Sequence, residues 1–138
     1  MKFKKNEVLT GMDEKVAVEI TSEASTAVVA FKSASITGVE EIAAASKHIK
    51  KFIDKNQPNK LIFDFDGVKF FSSQVLGLLL DIRGKLETYN GEVVISAINP
   101  QLHRVFKITN LDKIFRFFAD KESAIKTTGT DAPPVSRG

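Results

Sequence analysis

LIFDFDGVKFFSSQVLG, residues 61–77, decides how the chain is read. Leu61, Ile62 and Phe63 form the unbroken apolar run that a strand buried on both faces requires, and Asp64, Phe65, Asp66 and Gly67 close it with turn-forming chemistry. Ser72 and Ser73 then open a helix. Serine is a favoured N-cap because its hydroxyl accepts a bond from an orphan backbone N–H, so Ser72 is expected to make that bond. Val75, Leu76, Leu78, Leu79, Ile82 and Leu86 follow at mostly helical spacing.

Upstream, Lys15 to Thr21 alternates, with Val16, Val18 and Ile20 on one side, the period of a half-buried strand. TAVVAFK (residues 26–32) is a second β-rich run, and the polar break at 22–25 predicts a hairpin. A helix is expected over 38–55, with Val39, Ile42, Ala43, Ser46, Ile49 and Ile53 inward and its acids early and lysines late, as the helix dipole favours. Downstream, Asn90-Gly91 ends the serine-led helix and EVVISA (92–97) is a strand. Asn99 and Pro100 start a helix over 101–109, KIFRFF (113–118) reads as an edge strand, and Asp120 caps a short helix ending at Lys126. The order ββαβαβαβα predicts one α/β domain over 15–126, with a mixed, largely parallel sheet of about five strands and about four helices. Residues 1–14 read as a loose lead-in, and 127–138, with Pro133 and Pro134, as a disordered tail.

A chain of 138 residues with 43% hydrophobic and 27% charged residues has the size and composition of one globular domain. No run is long enough to span a bilayer, and the basic MKFKKNEVL start lacks the apolar region of a signal peptide, so a cytoplasmic location without direct membrane insertion is expected. The absence of cysteine excludes disulfides, a thiol nucleophile and thiolate metal sites. The net charge of +3 comes with a lysine cluster at Lys47, Lys50, Lys51 and Lys55, read as a solvated face because no nucleic-acid motif or stacking aromatics accompany it. His48 and His103 have no second ligand at metal-binding spacing, so no metal or cofactor is expected.

With a turn of about 100° per residue, Val75, Leu78, Leu79, Ile82 and Leu86 make the core stripe of the serine-led helix, while Ser73, Leu76, Gly77, Leu80 and Gly84 share another side. Each interior glycine costs the helix roughly 1 kcal/mol relative to alanine. Their alignment predicts a place where another backbone approaches, whether a neighbouring helix of the same domain or a second protein.

VKFFSSQVLGLLL (68–80) and GEVVISAINPQLHRVFKITNLDKIF (91–115) resemble a STAS domain, the family of the anti-sigma factor antagonists. In that family a strand runs into an Asp-Ser-Ser-Gly-like loop at the start of a helix, and a hydrophobic strand, Asn-Pro, a helix and a further strand follow. Aligning Leu76 and Gly77 with the family's Leu-Gly places Ser72 at the aspartate, Ser73 and Gln74 at the two serines and Val75 at the glycine. The resemblance implies a non-catalytic, cytoplasmic regulatory domain acting through protein–protein interaction in transcription control. It implies a protein partner, an anti-sigma factor with serine kinase activity and a cognate phosphatase, and no nucleic acid. Phosphorylation is expected at Ser73, with Ser72 the alternative, and the partner is expected on Ser72, Ser73, Gln74, Leu76, Gly77, Leu80 and Gly84. STAS-like domains also serve as subunits of lipid-transport ATPases and sensory complexes, so the resemblance leaves the pathway open.

LIFDFDGV also resembles the first motif of haloacid-dehalogenase-type phosphatases. On that reading Asp64 is the nucleophile, Asp66 the acid/base and Mg²⁺ the metal, with Ser96 imitating a second motif. Such enzymes need a lysine and a further acidic pair, for which the chain offers Lys107 or Lys113 and Asp120. Turn formation accounts for the two aspartates without any chemistry.

Overall fold

The computed structural model describes residues 18–127. The expected lead-in at 1–14, the place of Val16 in the first strand and the tail beyond Thr127 lie outside the described residues. β1 (Val18–Glu23) and β2 (Thr26–Phe31) pair antiparallel through a two-residue turn whose first residue, Ala24, has a φ of 56°.

After β2 the chain makes a two-residue strand, β3 (Ser35–Ile36), then α1 (Val39–Asn56), β4 (Lys60–Asp64), a second two-residue strand β5 (Phe70–Phe71) and α2 (Ser73–Glu87). β6 (Glu92–Ser96), α3 (Pro100–Ile108), a 3-10 turn at Leu111–Lys113, β7 (Arg116–Phe118) and α4 (Lys121–Lys126) complete it. The main sheet runs β1-β2-β4-β6-β7, parallel except for β1. Each parallel crossover steps the same way across the sheet, so right-handed connections put α1, α2 and α3 on one face.

Alternation along the strands divides the core accordingly. Val29, Phe31, Leu61, Phe63, Val93, Ile95 and Phe117 point into a cluster with the buried sides of α1, α2 and α3. Val28, Ile62, Val94 and Phe118 point the other way, under Ala124 of α4. The unbroken LIF run of β4 is thus the fully buried central strand that its composition requires.

Two expectations are corrected. Val39 is 62% exposed and Ala43 is exposed, the inward stripe of α1 being Ile42, Ala45, Ile49 and Ile53. Gly38 caps that helix with its N–H donating to Glu41 Oε1 at 3.2 Å, which puts Val39 in the first turn, at the rim. The edge strand is only Arg116–Phe118, because Leu111–Lys113 folds into the 3-10 turn behind Asn110, at φ 65°. Phe70 and Phe71, to which the sequence reading assigned no element, form a strand. They pair in parallel with Ser35 and Ile36 as a small second sheet.

Candidate docking site

The loop from β4 to α2 is held by aromatic packing and backbone bonds before it reaches the serines. Phe65 is fully buried, 4.9 Å from the Phe31 ring and 5.6 Å from Phe71, which meets Phe106 edge-on at 6.2 Å. Val68 N–H donates to Phe65 O at 3.0 Å around Gly67, whose φ of 85° is one that glycine adopts without steric cost. β5 then docks on β3, with Lys69 N–H and Phe70 N–H both donating to Ala34 O and Ser72 N–H donating to Ile36 O at 3.0 Å. The backbone at the mouth of α2 is therefore fixed from both sides.

Ser72 is the N-cap by backbone geometry, but its side chain caps nothing. Its Oγ is buried and, among the described residues, has no hydrogen-bond partner. The expected capping bond is absent although the backbone of Ser72 keeps N-cap geometry, with its N–H held by β3. Ser73, the first helical residue, is exposed, as is Gln74.

Along α2 the exposed strip is Ser73, Gly77, Leu80 and Gly84, with Leu80 39% exposed. Apart from the helix's own backbone, no described atom lies within 4 Å of where a Cβ would stand at Gly77 or at Gly84. Neither glycine is therefore explained by a neighbour among the described residues. Leu76, expected on this side, is buried in the core cluster instead. The side chain of Leu76 leans inward beside Val75 and Leu79, so the open strip is narrower than the wheel suggests.

One flank of the strip is braced by α1 through Lys50–Asp81 at 2.6 Å and Lys85–Asp54 at 2.8 Å. These exposed pairs are worth at most about 1 kcal/mol each, and they link the two helices along that flank. The mouth carries two exposed apolar side chains that the sequence reading missed as surface: Phe70, 55% exposed, and Val39, near Ile36 at the start of α1. A signal existed for Phe70, since adjacent aromatics in a strand point to opposite faces.

Of the residues of the phosphatase reading, Asp64 and Ser96 meet at the carboxyl end of the sheet, and the two lysines lie at the other end. Asp64 is buried at the end of β4, where its Oδ1 accepts from Ser96 Oγ at 3.1 Å and weakly from Asp66 N–H at 3.4 Å, while Asp66 is exposed. Lys107 near the end of α3 and Lys113 before β7 belong to the opposite end of the sheet, because a crossover helix runs back against its strands. Asp120 accepts from Ser123 N–H and Ser123 Oγ as the cap of α4, and those bonds hold its carboxyl below the usual range. Among the described residues no group of three or more His, Asp or Glu side chains is placed to hold a metal.

Solved structures share this fold, among them these three. An anti-sigma factor antagonist from Mycobacterium paratuberculosis is 24% identical over 78% of this chain and 89% of its own, with a TM-score of 0.68. An anti-sigma-factor antagonist STAS domain protein from Planctomyces limnophilus is 23% identical over 80% and 95%, with a TM-score of 0.69. The Bacillus cell fate determinant SpoIIAA in its phosphorylated form is 22% identical over 79% and 96%, with a TM-score of 0.63. The sequence pattern of the STAS domain matches residues 15–124, nearly the whole described chain, and the protein therefore belongs to the STAS domain family.

Proposed function

We propose that this STAS domain is a non-catalytic, cytoplasmic docking module of the anti-sigma factor antagonist kind. It binds an anti-sigma factor with serine kinase activity through the strip Ser73, Gly77, Leu80 and Gly84, with Gln74 and Phe70 at its mouth. Phosphorylation of Ser73 releases the partner, and a cognate phosphatase restores binding. The observation that carries this reading is the open space over Gly77 and Gly84, which leaves a smooth strip where a second backbone can approach closely.

Ser73 is favoured over Ser72 as the acceptor because its side chain is exposed while Ser72 Oγ is buried. A phosphate there adds about −1.5 to −2 charges at a helix N-terminus, where the dipole and free N–H groups tolerate an anion. α2 has no acid in its first turn to oppose it. The fold is therefore expected to survive modification, and SpoIIAA, whose unphosphorylated and phosphorylated forms both resemble this chain, sets a precedent. Docking is what changes: a hydrated dianion at the head of the strip must be desolvated beneath the partner.

Co-purification from the native cell with wild-type, Ser73→Ala and Ser73→Glu chains tests this, with intact-mass measurement for one phosphate. The wild type and Ser73→Ala are expected to retain the same partner and Ser73→Glu to lose it, with phosphate on the wild type alone. A folded Ser73→Glu chain that holds the partner as tightly as wild type overturns the reading.

A further inference from the structure

At the end of the molecule away from Ser73, α3 and the 3-10 turn carry a second surface that the docking strip does not explain. Ile108 is 72% exposed and Ile114 38% exposed, while Arg104, Lys107 and Lys113 are exposed around them. Local bonds join these positions into one continuous turn: Asn110 N–H donates to Lys107 O at 3.1 Å, Lys113 N–H to Asn110 O at 3.3 Å and Ile114 N–H to Leu111 O at 3.1 Å. The acid within the turn, Asp112, is half-buried with its Oδ1 turned inside. Three cations thus surround two projecting branched side chains, against Asp112 as the one acid of residues 100–119.

The helix dipole accounts for Lys107 in the last turn of α3, but it gives no reason for leaving an isoleucine nearly bare beside it. We infer that this turn seats the domain peripherally on an anionic lipid surface, with Ile108 and Ile114 entering the headgroup boundary and the cations meeting lipid phosphates. Charge complementarity carries the choice: a cluster of lysine and arginine near a membrane is attracted to acidic headgroups, and a small apolar projection suits a deformable interface. No described helix is long and apolar enough to cross a membrane, so the contact is superficial. Because α3 runs back against the strands, this contact leaves the mouth of α2 facing away from the lipid. The two surfaces can be occupied together.

Sedimentation of the full chain with vesicles of phosphatidylcholine, alone or mixed with phosphatidylglycerol, tests the inference. The chain is expected to pellet with the mixed vesicles only and to be released by salt, as screened surface attraction requires. Ile108→Ser is expected to weaken pelleting about tenfold, the loss anticipated for one buried aliphatic side chain, and Lys107→Glu with Lys113→Glu to abolish it, with circular dichroism unchanged in each. Equal pelleting with neutral vesicles, none with either kind, or no effect of Ile108→Ser overturns it. So does an acidic protein partner that the charge-reversed chain loses while wild type ignores vesicles.

Discussion

Asn99 ties the cap of one helix to the loop that delivers another: its Oδ1 accepts from Leu102 N–H at 2.8 Å while its Nδ2 donates to Val68 O at 3.1 Å. The first bond starts α3, and the second steadies the chain just before β5 and the mouth of α2. Asn99→Ala removes both, at about 1 kcal/mol for the cap and about 1 kcal/mol for the cross-link. Asn99→Asp keeps the acceptor but not the donor and should lose roughly half as much. Urea denaturation of the three chains measures this. Equal stability of Asn99→Asp and wild type would show that the bond to Val68 contributes nothing.

Ser96 and Asp64 join the carboxyl ends of the two central strands inside the protein, where Ser96 is fully buried. Removing the donor leaves a buried carboxylate short of a partner, so Ser96→Ala should destabilise by about 1.5–3 kcal/mol, the range for a hydrogen bond to a charged group. If the two residues act as a pair, adding Asp64→Ala to Ser96→Ala should cost less than the two single losses combined. Additive losses in a double-mutant cycle would mean that each side chain acts alone.

Gly77 and Gly84 weaken α2 without any neighbour among the described residues to justify them. Gly84→Ala should therefore raise stability by about 0.5–1 kcal/mol, since alanine is the better helix former and nothing stands in its way. Gly77→Ala should gain a similar amount, while a bulky Gly77→Leu keeps the fold and blocks the close approach proposed for the partner. Thermal denaturation together with partner co-purification separates the two effects. A partner retained by Gly77→Leu would remove the strip from the interface.

Features that a short stretch of residues specifies by itself were legible in the sequence. The LIF run of β4, the Asn-Pro start of α3 and the Asp120 cap of α4 each follow from local composition or local hydrogen bonding, and each stands where the pattern puts it. What the pattern misplaced depends on contacts distant in the chain. Phe70 and Phe71 become a strand only because Ser35 and Ile36, more than thirty residues earlier, lie beside them, and Ser72 N–H is bonded to that same distant strand. Leu76 fell on the wrong side because a helical wheel assigns directions at fixed angles, whereas a long side chain on the border of two faces follows the available cavity. The openness over Gly77 and Gly84 could not be read at all from spacing, since a glycine facing a neighbour and one facing solvent give the same wheel.

His103 supplies a pH dependence with a definite sign. Its ring lies 4.3 Å from the Phe117 ring, and burial against that edge strand, helped by the positive charge of Lys107, holds it below the ordinary 6.5, with Asp112 opposing. A base whose folded value is depressed stays neutral in the fold at pH values where the unfolded chain already binds the proton. Its contribution is fully present above 6.5 and is lost as the pH falls through the lowered folded value, so stability should decline on mild acidification. Asp120 acts in a separate, more acidic window, because its folded value lies below the ordinary 3.8. His103→Phe retains a ring against Phe117 but cannot titrate, so its urea midpoint should change less than that of wild type between neutral and mildly acidic buffer. An identical decline in the variant would assign the dependence to other groups.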